Sequence, residues 1–377
     1  MIRWPPGSDE GRLLGLQSSP EIPDASHDSR RSRPFAAAPV AAILVAPCTP
    51  LLAQDAKPAE PPPPPPPPIT EKMRADAQAL APLVKSDLAK QFLAATAQLK
   101  EPAPRTVYRN REKGIALSKR QFDALPEAEK ESLTPREYPP QFYYETGYGS
   151  PLVYVRLLDL AAPHMRTVER PKLLDFGFGS IGQLQLLAHC GFDAHGVDVE
   201  PVFSALYSEP GDTGGIGKGA ASVHIGQWPA DAALAERIGA GFSLITSKNT
   251  LKKGYIHPSP PAGQTVDPKK LVHLGVSDEA YLARVHDALL PGGVFIIYNI
   301  CPPQAAPDKE YIPWADGLSP FPREMLEKSG FEVLAFDAVD QAWVIECFEK
   351  LGYAEGKSRT ELAEQYFCWF TIARRKD

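Results

Sequence analysis

Basic residues are in short supply: 40 Lys and Arg stand against 46 Asp and Glu, a net charge of −6. A nucleic-acid partner would call for a basic face, so none is expected. Long apolar runs are missing too. No window reaches the roughly 18 residues a membrane helix needs, so no stable membrane insertion is expected. Cysteine is sparse, at Cys48, Cys190, Cys301, Cys347 and Cys368, with no CxxC pair and no histidine at zinc-finger spacing. That argues against a structural zinc site, and no carboxylate cluster suggests another metal. The thiols read as small buried hydrophobes. Internal repeats are absent.

Proline, by contrast, is abundant at 41 residues, eight of them in the unbroken run Pro61–Pro68. The excess therefore belongs to a tail and not to a fold. Residues 1–34 are polar and end in Arg30, Arg31 and Arg33. An apolar stretch, FAAAPVAAILVAPCTPLLA, spans Phe35 to Ala53. A positive region, a short apolar region and small residues make the pattern of a secretory signal peptide, with cleavage near Ala53. The expectation is a signal peptide over 1–53, a stiff polyproline linker over 54–70, and an exported or periplasmic mature protein. The rival is a cytoplasmic protein with a disordered amino-terminal extension, starting at Met73.

From Thr70 the composition changes. Leu80, Leu83, Leu88, Phe92 and Leu93 form an amphipathic stripe interrupted at Pro82. Ser118 and Pro126 each open a short helical pattern. Residues 71–143 are therefore expected to be a small helical cap on the domain that follows, 144–377.

The decisive segment is RPKLLDFGFGSIGQLQLLAHCGFDAHGVDVEP, Arg170 to Pro201. Leu173, Leu174 and Phe176 form an apolar strand without a polar face, as a strand covered on both sides should. A helix from Ile181 to Cys190 follows, with Gly191 as its C-cap. A second strand, Ala194 to Val197, ends at Asp198. Gly177 and Gly179 let the backbone approach a ligand where a Cβ would collide, and Gly182 is expected to let the helix pack close to the strand. The helix N-terminus offers N–H groups to an anion, and Asp198 can accept hydrogen bonds from ribose hydroxyls.

A GxGxxG turn alone also serves nicotinamide and flavin dinucleotides. Here Asp175 stands two places before the first glycine, where nicotinamide-binding turns usually carry an apolar residue. With this hhDxGxGxxG form the chain resembles class I S-adenosylmethionine-dependent methyltransferases. The resemblance continues through Gly226-Gln227-Trp228-Pro229 after a third strand, the fourth strand Gly241–Thr246, and Leu290-Pro291-Gly292-Gly293 before the buried strand VFIIYNI. Strands at Phe331–Phe336 and Tyr366–Ala373 complete the pattern. It implies an α/β fold with a seven-stranded, mostly parallel Rossmann-like sheet of order 3-2-1-4-5-7-6, its last strand antiparallel. It also implies S-adenosyl-L-methionine as cofactor. Asp175, Gly177, Phe178, Gly179, Gly182, Asp198, Val199, Gln227 and Ser247 would be the cofactor-binding residues. Asp175 would organise the methionine end and Gln227 would accept from the adenine amine, where the family often has Gly-Asp. Trp228 reads as a core aromatic.

The acceptor is less legible. Three segments are expected above the cofactor: Phe142 to Ser150, Lys252 to Pro258 and Cys301 to Trp314. Ser247-Lys248-Asn249-Thr250 is not the Asn/Asp-Pro-Pro-aromatic motif of base-modifying amino methyltransferases. Methyl transfer is an in-line displacement in which orientation does much of the work. An oxygen or nitrogen nucleophile can also need a base, and His257, Tyr255 and Lys248 are the candidates. The expected partner is a small-molecule acceptor. The alternatives are an exported cofactor-binding module without catalysis and, disfavoured by Asp175 and the final antiparallel strand, an NAD-dependent oxidoreductase.

Overall fold

The computed structural model describes residues 67–146 and 149–376. The expected signal peptide and nearly all of the proline linker lie outside the described residues. A helix starts at Ile69, inside the expected linker. It continues to Leu80, where Pro82 turns it into a short 3-10 turn, and a second helix covers Asp87–Ala94. The side chain of Ser86 caps that helix by accepting from the Ala89 N–H.

The expected helical cap is helical only in part. Residues 105–138 contain a small antiparallel sheet of order β2-β1-β3, made of β1 (Arg105–Asn110), β2 (Ile115–Ser118) and β3 (Thr134–Tyr138). The short helices Lys119–Asp123 and Glu127–Lys130 fall between β2 and β3, and Ser118 forms a capping box with Gln121. The strands escape a periodicity reading for a physical reason. Val107 is the only fully buried position of β1, so there is no apolar alternation to detect. β3 carries Pro135, which is tolerated because β3 is an edge strand.

The main sheet has eight strands: β4 (Lys172–Phe176), β5 (Asp193–Asp198), β6 (Gly214–Ile216), β7 (Gly219–Ile225), β8 (Phe242–Lys248), β9 (Leu289–Cys301), β10 (Phe331–Val339) and β11 (Phe367–Arg375). Its order is β10-β11-β9-β8-β4-β5-β7-β6. Without β6 this is the order the resemblance implied. β4, β5, β7, β8 and β9 run parallel, and β11 lies antiparallel between β9 and β10. The eighth strand, β6, makes a hairpin with β7 across Gly217-Lys218, where Gly217 takes φ +58°. Its Gly-Gly-Ile sequence gave no strand signal.

Strand alternation distributes the core onto both faces. Leu173, Leu244, Val294 and Ile296 enter one apolar cluster, shared with the helices Tyr154–Ala161 and Gly182–His189. Leu174, Ile245, Phe295 and Ile297 enter the other, under the helix Asp278–Ala288. β4, β8 and β9 are thus covered on both sides and read as continuous apolar runs, whereas β5 and β7 are only partly buried. The chain lays β5 and β7 on one side of β4, then crosses to place β8 on the other. That reversal opens a crevice at the carboxyl ends of the central strands, where ligands bind in doubly wound sheets. Among the described residues no helix is long and apolar enough to cross a membrane.

Candidate functional site

β4 runs into the turn 177–181, which feeds the helix Gly182–His189. Gly177 and Gly179 take φ of +74° and +61°, conformations that L side chains rarely adopt. The Gly177 N–H donates to the Val197 carbonyl at 2.8 Å and fastens the turn to β5. A Cβ on Gly177 would lie 2.1 Å from Thr250 Oγ1, so the glycine admits the loop after β8 as well as a ligand.

Asp175 is fully buried and fully engaged. Oδ1 accepts from Thr246 Oγ1 at 2.8 Å and Oδ2 from Gln183 Nε2 at 2.9 Å. The Tyr154 hydroxyl donates to the same carboxyl. Burial raises the Asp175 pKa, and these hydrogen bonds together with the Lys248 charge oppose the rise. Gln183 Nε2 also donates to the Phe178 carbonyl at 2.6 Å, and Gln183 Oε1 accepts from Ser180 Oγ at 2.8 Å. Asp175 therefore acts through Gln183 as the brace of the glycine turn. Nothing in the sequence pattern pointed to Gln183 or Tyr154.

Asp198 ends β5 at the rim of a small cleft that is partly open to solvent. Asp198 Oδ1 accepts from the N–H groups of Val199 and Glu200 at 2.7 and 3.0 Å, and Oδ2 only from Gly179 N–H, at 3.4 Å. One carboxylate oxygen is thus weakly held. Burial pushes its pKa up to about 6. Val199 and Gln227 join Asp198 in the wall, with Phe176 and Trp228 supplying apolar surface. Trp228 is also a core aromatic, packed on Phe176 and Tyr281. Thr250, Val272 and His273 complete the wall, and none of the three carried a motif.

Other expected residues sit elsewhere. The Phe178 ring is buried against Phe203 and Tyr207 and does not line the cleft; only its backbone serves the turn. Ser247 is fully buried, and its Oγ accepts from the Leu251 N–H at 3.2 Å, so it shapes the loop and does not face the cleft. Gly182 packs elsewhere than expected. A Cβ there would meet Pro151 at 2.7 Å and the Tyr144 carbonyl at 3.0 Å. The close helix–strand approach belongs to Gly196, whose Cβ would lie 2.6 Å from Leu184. The helix N-terminus is also less open than expected. The Ile181 N–H donates to the Tyr207 hydroxyl at 3.3 Å, and Thr146 Oγ1 donates to the Gly179 carbonyl at 2.8 Å. Thr146, from the segment expected above the cofactor, thus contacts the glycine turn.

The three candidate bases do not converge. His257 is exposed and pairs through Nε2 with Asp278 Oδ2 at 2.7 Å, away from the cleft lining. Tyr255 is 2% exposed, with the Lys252 ammonium over its ring. Lys248 alone stays beside the turn, its Nζ 5.8 Å from the Tyr154 ring centroid. Among the described residues no group of three His, Cys, Asp or Glu side chains could hold a metal ion.

No protein-family model and no curated protein sequence matches the chain. Among solved structures, phosphoethanolamine N-methyltransferase 2 of Haemonchus contortus, bound to phosphomonomethylethanolamine and S-adenosylhomocysteine, matches at TM-score 0.38 and 14% identity, covering 78% of this chain and 75% of that one. A SAM-dependent methyltransferase from Methanosarcina mazei matches at 0.31 and 14%, covering 58% and 97%. The 4+2 cyclase SpnF matches at 0.35 and 17%, covering 59% and 80%. Likeness at this level adds nothing to the strand order itself. That order and the cleft at the switch point define an open, doubly wound α/β fold.

Proposed function

We propose that the protein binds S-adenosylmethionine in this cleft and transfers its methyl group to a small-molecule oxygen or nitrogen acceptor. The observation that carries the reading is the pairing of two acids at adjacent strand ends. Asp175 is internal and braces the glycine turn, while Asp198 keeps a weakly held carboxylate oxygen at the cleft rim. The first is a feature nicotinamide turns usually lack, and the second suits a ribose diol. The antiparallel β11 between β9 and β10 supports the same reading.

The residues present fit the nucleoside end of the cofactor. Asp198 would accept from the ribose hydroxyls, and the Gln227 amide oxygen from the exocyclic amine. The bound cofactor supplies an electrophilic methyl on a sulfonium. The chain's own contribution is orientation, which is large for an in-line displacement. Lys248, next to the brace, would position the acceptor. Exposed His257 and buried Tyr255 lie outside the cleft lining, and the imidazole that does line it is that of His273. The same dispersion favours a second reading, cofactor binding without turnover. Mass spectrometry of small molecules co-purifying with the full chain tests the first part. Incubation with methyl-labelled S-adenosylmethionine and a small-molecule extract tests the second. Label in an extract compound supports methyl transfer, and cofactor retained with no labelled product leaves the binding module.

A further inference from the structure

The six-residue helix Pro140–Glu145 is too short to hold its own position, yet it and the residue after it press three groups onto the glycine turn. The Tyr143 carbonyl accepts at 3.1 Å from the Tyr207 hydroxyl, which itself accepts from the Ile181 N–H. The Tyr144 carbonyl would meet a Cβ on Gly182 at 3.0 Å. Thr146, which ends the helix at φ +50°, donates Oγ1 to the Gly179 carbonyl at 2.8 Å. A residue other than glycine keeps such a φ only where its surroundings hold it. The holding comes from the amino-terminal region. Lys72 of the helix Ile69–Leu80 reaches Glu145 Oε1 and Asp76 Oδ2, both at 2.8 Å. The Tyr144 hydroxyl donates to the Lys100 carbonyl at 2.7 Å. Arg105 of β1 donates through two nitrogens to Asp212, which accepts in turn from the Tyr143 hydroxyl.

We propose that the helix Ile69–Leu80 is an outer brace of the cofactor turn, with Lys72 as its positioning residue, acting through Glu145 and Thr146 on Gly179. The inference rests on the S-adenosylmethionine reading above and extends it to what sets the affinity. Lys72 lies outside the cleft lining, so its effect on a ligand is indirect. It is the cation shared by two largely buried carboxylates, Glu145 and Asp76. Without it the two carboxylates repel, and Glu145, 8% exposed, must turn toward water. Thr146 is the next residue. Its hydroxyl is then drawn off the Gly179 carbonyl, and the turn that approaches the ligand loosens.

The test joins calorimetric titration with S-adenosylhomocysteine to amide hydrogen exchange of the free full chain. Lys72→Met should weaken binding about tenfold. It should also speed exchange of the Ile181 amide about tenfold relative to the β4 amides, which report general stability. Thr146→Val removes the last contact of the path and should do the same. Because the two act in series, the double variant should lose no more than about threefold beyond either one alone. Adding Glu145→Gln to Lys72→Met removes the repulsion and should bring binding back to within about threefold of wild type. If Lys72→Met does not fold, Lys72→Gln, which keeps a donor without the charge, takes its place. Unchanged affinity or unchanged relative Ile181 exchange in the Lys72 variant, or a double variant whose losses multiply, overturns the proposal. A wild type that does not bind S-adenosylhomocysteine overturns the cofactor reading instead, and Ile181 exchange still tests the brace.

Discussion

Asp198→Asn separates the two jobs of the acid that ends β5. Oδ1 organises the loop by accepting from Val199 and Glu200 N–H, and an asparagine oxygen can keep both bonds. The other oxygen, held only by Gly179 N–H at 3.4 Å, would become an amide nitrogen. The fold should therefore survive, while the acceptor offered to a ribose diol is lost. A hydrogen bond to a charged group contributes about 1.5–3 kcal/mol, so S-adenosylhomocysteine should bind roughly 10- to 150-fold more weakly at pH 7.5. The pH dependence sharpens the test. Burial raises the Asp198 pKa to about 6, so below that pH the free protein holds a protonated, poorer acceptor. If binding requires the carboxylate, wild-type affinity should fall about tenfold between pH 7.5 and pH 5, while the asparagine variant shows no matching loss. For folding the sign is opposite. A carboxyl with a raised folded-state pKa contributes stability at low pH, lost as pH rises from its ordinary 3.8 through about 6. Calorimetric titration at both pH values, with melting curves of the free proteins, reads all three effects. Equal affinities for wild type and variant at pH 7.5 would refute the ribose assignment.

Asp175→Leu should leave the Thr246, Gln183 and Tyr154 donors without their acceptor and cost about 2–4 kcal/mol, seen as a lowered midpoint in urea unfolding. An unchanged midpoint would show that Asp175 is not the brace of the turn. Gly177→Ala meets Thr250 Oγ1 at 2.1 Å and a strained φ, so it should abolish cofactor binding, and adding Thr250→Gly should recover it in part. A Gly177→Ala protein with wild-type affinity would contradict the packing described here. Amino-terminal sequencing of the protein from its native host should find a start near Gln54 outside the cytoplasm, whereas an intact Met1, or a start at Met73 in the cytoplasmic fraction, removes the export proposal.

The central strands β4, β8 and β9 were readable because each is covered on both faces. Leu173-Leu174, Leu244-Ile245 and Val294 to Ile297 are unbroken apolar runs, and the turn between β4 and its helix has few chemical solutions. The small sheet was not readable, because with Val107 alone buried in β1 it has almost no apolar signature. At the site the same division holds. Asp175, Gly177 and Asp198 are dictated by local backbone geometry and fall where the spacing placed them. Ser247 was misassigned because being at a strand end does not say which way a side chain points; this one turns inward to Leu251. His273 reaches the cleft through long-range packing of the chain after β8, which no local pattern encodes, whereas Thr250 lies just past the carboxyl end of β8, a strand end expected to face the ligand.

The central claim is the identity of the cofactor, and one titration series addresses it. The full chain is titrated calorimetrically with S-adenosylmethionine, S-adenosylhomocysteine and NAD under the same conditions. The account predicts saturable binding of the first two and none of NAD, because the braced turn and Asp198 suit a ribose followed by a short amino-acid arm. Binding of NAD at millimolar affinity or tighter, with no response to S-adenosylhomocysteine, would contradict it.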